Sequence, residues 1–210
     1  MGFIATDAGG NGNFKRVPAG VHIGRCYSLI DMGTQLTTGQ YGEKMQHKIR
    51  LGWELFGEDD DGAPLTIDVD GYPMPLTISK SYTVSLHEKA NLRKELAAWR
   101  GKDFTEEEAK AFDVSKLVGA YCMVNVAISE TNGKTYSNIA GLTPIPNALK
   151  NSKPAPIHEN VIFNLDDPDM NVFDKFHDKL KDAIRSAPEF SKIAATGTAG
   201  RHEMDDNIPF

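Results

Sequence analysis

Hydrophobic and polar positions alternate most cleanly between Met45 and Phe56. Met45, His47, Ile49, Leu51, Trp53 and Leu55 share one face there, and Gln46, Lys48, Arg50, Gly52 and Glu54 share the other. Successive side chains of a strand point to opposite sides, so this pattern predicts a half-buried strand with a basic, solvated face. An earlier strand is predicted over Gly20 to Ile30, where Val21, Ile23, Tyr27 and Leu29 keep near-alternate spacing; a Gly/Thr-rich connection from Gly33 to Gly42 follows it. After polar turns at 58–62 and 65–71, a further strand is predicted from Thr77 to Leu86. From Leu117 to Ile128, the residues Val118, Ala120, Cys122, Val124, Val126 and Ile128 point one way. Asn132-Gly133 is a type I′ hairpin signal, and Lys134 to Leu142 returns as the paired strand.

The helical period appears in three places. Leu92, Leu96 and Trp99 recur at helical spacing within 86–101, and Gly101 stops that helix. Thr105 followed by Glu108 is a capping box that opens a second, short helix. Val172, Phe173, Phe176, Leu180 and Ile184 set an amphipathic helix from about 170 to 186, ending before Pro188. Short strands with one helix inserted among them predict a mainly β chain built as an OB-fold-like Greek-key barrel, followed by a C-terminal amphipathic helix and an acidic tail. The expected organisation is a flexible Gly-rich arm over 1–14, the barrel over 15–146, a linker and helix over 147–190, and a flexible tether with an acidic tip over 191–210.

Composition changes this picture little, and charge changes it more. The chain has 210 residues, 40% hydrophobic and 25% charged, which suits one packed domain with an appendage. No apolar run is long enough for a membrane span, and no basic-then-apolar leader opens the chain. Two widely spaced cysteines, Cys26 and Cys122, suit a reducing cytoplasm and buried thiols. The net charge of −6 argues against a nucleic-acid binder until its distribution is considered: residues 1–57 are net +2 and residues 71–102 net +4, with the acid elsewhere.

Coating a flexible polyanion needs cations along the phosphates and flat side chains under the bases. Lys44, Lys48 and Arg50 on one strand face, Lys80 with Tyr82 on the next long strand, and Lys134 with Tyr136 leaving the hairpin are the candidates. Tyr41, in the Gly-rich connection, is a candidate stacking residue. Trp53 has the parity of Ile49 and Leu51, so it serves either the core or, exposed by a bulge, as a base platform. The six histidines are scattered without metal-ligand spacing, and the acidic turns lack the Glu that completes a calcium loop. No phosphate-cradling loop, nucleophile elbow or carboxylate cluster near the basic faces is present, so no cofactor, no metal and no enzymatic activity are expected.

The final residues carry a different chemistry. Phe210 combines an aromatic ring with the α-carboxylate, a double hook for an apolar pocket beside a cation, and Pro209 reduces the conformations lost on docking. Glu203-Met204-Asp205-Asp206-Asn207-Ile208-Pro209-Phe210 resembles the acidic tip of bacterial single-stranded DNA-binding proteins, whose common ending is Asp-Asp-Asp-Ile-Pro-Phe. Residues 86–96 with Trp99-Arg100-Gly101, and residues 132–139, resemble a family of phage-encoded proteins grouped with single-stranded DNA-binding proteins, over about 15–146. The resemblance implies a single-stranded DNA-binding protein of phage replication, recombination or repair, acting in the host cytoplasm. Asp205, Asp206, Ile208, Pro209 and Phe210 would recruit replication and recombination proteins, and assembly as a homo-oligomer is compatible with this role. Two rivals remain: an interaction module that mimics the host tip without binding DNA, and a strand-annealing recombination accessory protein.

Overall fold

The computed structural model describes residues 15–39 and 42–192. Its main sheet begins with a long antiparallel hairpin, β1 (Gly20–Gly39) and β2 (Gly42–Phe56). The short hairpin β3 (Thr66–Val69) and β4 (Tyr72–Pro75) stands apart, and β5 (Thr77–Thr83) returns to pair antiparallel with β2. Two helices follow, α1 (Asn91–Arg100) and α2 (Glu106–Lys110), then the hairpin β6 (Tyr121–Thr131) and β7 (Lys134–Thr143). The remaining elements are a short strand β8 (Val161–Phe163) and the helices α3 (Met170–Asp174) and α4 (Asp178–Arg185). Among the described residues no helix is long and apolar enough to cross a membrane.

The strand order is β5-β2-β1-β6-β7, and the free edge of β1 is shared. Residues 20–25 of β1 pair with β6, and residues 28–30 pair in parallel with β8. The two ends of the path, β5 and β7, approach one another without joining through backbone hydrogen bonds. Helix α1 packs against both, and Lys80 Nζ of β5 donates to the Ile139 carbonyl of β7 at 3.2 Å across the gap. Lys80 and Tyr82 also bond the Glu95 carboxylate of α1, so a polar seam closes this side.

Two hydrophobic clusters use opposite faces of the hairpin. Leu51, Trp53 and Leu55 of β2 meet Leu96 and Trp99 of α1 and Val124 of β6 in the larger one. Ile30 and Met32 of β1 meet Phe163, Phe173, Leu180 and Ile184 in the smaller. Several local signals hold. Gly101 caps α1 in the left-handed conformation, Thr105 and Glu108 form the reciprocal capping box of α2, and Asn132 and Gly133 both take positive φ in the β6–β7 turn.

Other expectations are corrected by long-range contacts. The Gly/Thr-rich segment 33–39 is strand, because Thr34, Thr37 and Thr38 pair across the hairpin with His47, Lys44 and Glu43. The predicted strand from Leu117 starts only at Tyr121, after a 3-10 turn, and Ile128 is exposed. The predicted helix over 170–186 is two helices. His177 interrupts it, its ring accepting from the Leu180 amide as the N-cap of α4. Between the expected linker and the helices, Val161–Phe163 forms β8, which joins the main sheet and packs onto β1.

Candidate nucleic-acid interface

The register of β2 and β5 defines one polar face. Lys48 opposes Thr83, Arg50 opposes Ser81, Gly52 opposes Ser79 and Glu54 opposes Thr77. The alternate positions Ile49, Leu51, Trp53, Ile78 and Tyr82 fill the larger core, so the polar set lies on the outside of the sheet. Tyr27 joins it from β1, because a register shift between Cys26 and Ser28 breaks the alternation there. A β-carbon on Gly52 would run into Ser28 Oγ and lie 3.5 Å from Tyr27 Cε1, so the bare glycine lets both side chains in.

One end of this face is closed by charge. Glu54 is fully buried, and Arg25 and His158 are nearly so. Arg25 Nε donates to Glu54, and its other nitrogens donate to Asn160 Oδ1 and the His158 carbonyl. The second carboxylate oxygen of Glu54 accepts from the His158 amide at 2.8 Å and lies 2.9 Å from His158 Nδ1. Burial opposes the charge of Glu54, but these bonds outweigh it and hold the carboxyl below its ordinary range. The network ties segment 157–160 across the outside of β1 and β2, where the His158 ring sits 4.8 Å from that of Tyr27.

The other end carries charge with no such partner. Of the buried or half-buried lysines and arginines among the described residues, Lys15, Arg25, Lys80, Arg93, Arg100 and Lys181 each meet a carboxylate. Lys48 and Arg50 are half-buried without one. Lys48 Nζ donates to Thr83 Oγ1 at 2.7 Å and Gln46 Oε1 at 3.2 Å, both neutral. Burial pulls the proton affinity of both Lys48 and Arg50 downward, the mark of cations partly stripped of water. With Ser81 exposed beside Arg50, the face offers two cations and a row of hydroxyls to an anion.

The structure brings Lys48 and Arg50 together as their spacing predicts and disperses the other candidates. Lys44 is exposed farther along β2, opposite Thr37. Lys134 and Tyr136 are exposed near the turn of the β6–β7 hairpin. Trp53 has no exposed surface and packs 6.0 Å from Trp99, so its faces are closed to a base. Tyr82 is buried opposite Ile49, and Lys80 lies opposite Leu51 with its charge met by Glu95. The register turns both toward the core, not into a groove. Tyr41, Asp205, Asp206, Ile208, Pro209 and Phe210 lie outside the described residues.

Two contributors were missed in the sequence. The hydroxyls Ser79, Ser81 and Thr83 were legible as every second residue of β5, whereas nothing local marks the bulge that turns Tyr27 outward. Cys26 and Cys122 are buried free thiols, and burial pushes Cys26 up to about 12, so it is no nucleophile at neutral pH. Compared with known proteins, the chain matches no family model, and no curated protein matches it.

Proposed function

We propose that this chain is a single-stranded DNA-binding protein that holds phosphates on the outer face of β2 and β5. The observation that carries this reading is the pair Lys48 and Arg50, the two half-buried cations among the described residues that no carboxylate neutralises. A phosphate backbone restores what burial removed, and β2 spaces the pair at roughly 7 Å, about two nucleotides of a stacked strand. The order β5-β2-β1-β6-β7, with α1 packed over the open side between β5 and β7, supports reading the sheet as a barrel of the OB type. Residues 203–210 resemble the acidic tip of bacterial single-stranded DNA-binding proteins, which supports recruitment of replication and recombination enzymes by phage-encoded protein in the host cytoplasm.

Titration of oligo-dT across a salt series tests the reading, with the intact chain, a chain lacking 205–210 and the double variant Lys48→Ala/Arg50→Ala. The intact chain should prefer single strands over duplex. The double variant should reduce the slope of log affinity against log salt by roughly 1.4, two cations' worth on a single strand. Failure of both the intact and the shortened chain to bind at low salt sinks the proposal. In that case, capture of host partners by residues 203–210 alone would favour the tip-mimicking module.

A further inference from the structure

Beyond Gly33 and Lys48, the β1 and β2 ladders run only with each other among the described residues, apart from one backbone bond from the Val84 amide to the His47 carbonyl at 2.9 Å. The six pairs from Thr34 and His47 to Gly39 and Gly42 form a two-stranded ribbon roughly 20 Å long. Its faces differ. Thr37 with Lys44, and Gln35 with Gln46, continue the face of Lys48 and Arg50. Leu36 and Met45 oppose each other on the reverse face, 59% and 56% exposed.

An unsupported hairpin is marginally stable in water, and this one is braced at its neck. Gln35 Nε2 donates to the Met32 carbonyl at 2.6 Å and to the Ala183 carbonyl beside it at 2.8 Å. The Thr34 amide donates to Glu189 Oε2 at 3.0 Å, and His47 Nε2 lies 2.8 Å from Asp31 Oδ1. Gly33, at φ +65°, lets Ala187 and Leu165 pack against the backbone. The ribbon is therefore held in one direction, with the apolar pair and Glu43 on one side and, on the other, Lys44 continuing the cationic face of Lys48 and Arg50.

We propose that the ribbon is a strand-separating wedge at junctions between single-stranded and duplex DNA, a role that rests on the Lys48–Arg50 face binding single strands. The cationic face follows the phosphates of the released strand, and Leu36 with Met45 cap the last base pair of the duplex. One or two apolar side chains suffice to unstack a base step. They fall far short of the roughly 800 Å² per partner that a stable protein interface buries. Continuity of the ribbon with the Lys48–Arg50 face favours a nucleic acid as the occupant on grounds of charge.

The test uses the full chain and its double variant Leu36→Ser/Met45→Ser, with plain oligo-dT and a dT-tailed hairpin carrying a dye and quencher across the stem. The variant should bind oligo-dT within about twofold of the intact chain yet open the stem about tenfold more slowly, since the apolar wedge is what unstacks the step. Unchanged opening overturns the wedge alone. An equal loss of oligo-dT affinity also overturns it, because the pair then stacks on single strands. Concentration-dependent dimers of the intact chain that vanish in the variant overturn it in favour of a self-contact. If the intact chain binds no oligo-dT, the Lys48–Arg50 reading falls and the wedge falls with it.

Discussion

Two charged pairs stand on the outer face of β2, and their fates are opposite. Glu54, with Arg25 directly across the hairpin, is buried, and every oxygen and nitrogen of the pair has a partner within the chain. Lys48 and Arg50, six and four residues before Glu54 on the same face, are half-buried and meet only neutral groups or none. Charge satisfied internally serves architecture: it ties residues 157–160 to the sheet. Charge desolvated but unsatisfied by the chain is suited to a partner that brings its own anion. The difference lies in what covers the strand, not in the strand itself.

The largest effect should come from breaking the paired site. Glu54→Ala leaves Arg25 buried without its counter-charge and should destabilise the fold by about 3–5 kcal/mol, read by denaturant unfolding. Hydrogen exchange should localise the first opening to 157–163, and exchange that rises uniformly over the chain would contradict the tie. Acid should do the same reversibly. The Glu54 carboxyl is held below its unfolded value by its hydrogen bonds with His158 and Arg25, so its contribution is present above the unfolded value and lost as pH falls through the folded one. Proteolysis of 151–165 that shows no increase on acidification would speak against this.

Gly52→Ala comes next. The added methyl collides with Ser28 and crowds Tyr27 between the two pairs, at a cost of about 1–3 kcal/mol in thermal or chemical unfolding. The smallest effect on stability should come from Lys48→Ala/Arg50→Ala, within about 0.5 kcal/mol, because no ion pair is lost. A drop comparable to that of Glu54→Ala would erase the distinction between the sites. Lys134→Ala/Tyr136→Ala should alter neither stability nor, by more than a fraction of the Lys48/Arg50 effect, oligo-dT affinity, as these residues are exposed near the turn of the β6–β7 hairpin.

What sequence by itself determined is local chemistry. Asn132-Gly133 takes positive φ because its own backbone requires it, Thr105 caps the helix that starts beside it, and the period of two in β2 puts Lys48 and Arg50 on one face. Tertiary structure alone decided which positions each face would meet. Gly52 and Glu54 share the parity of Lys48 and Arg50 yet are buried: Ser28 and Tyr27 of β1 lie over Gly52, and His158, 104 residues after Glu54, closes over Glu54. Lys80 and Tyr82 looked like a groove pair until the register set them opposite Leu51 and Ile49. Periodicity states that a strand has two unlike faces. The fold decides which one meets the core, and distant segments decide whether the other meets protein or water, because burial is a property of packed neighbours and not of the residue that is buried.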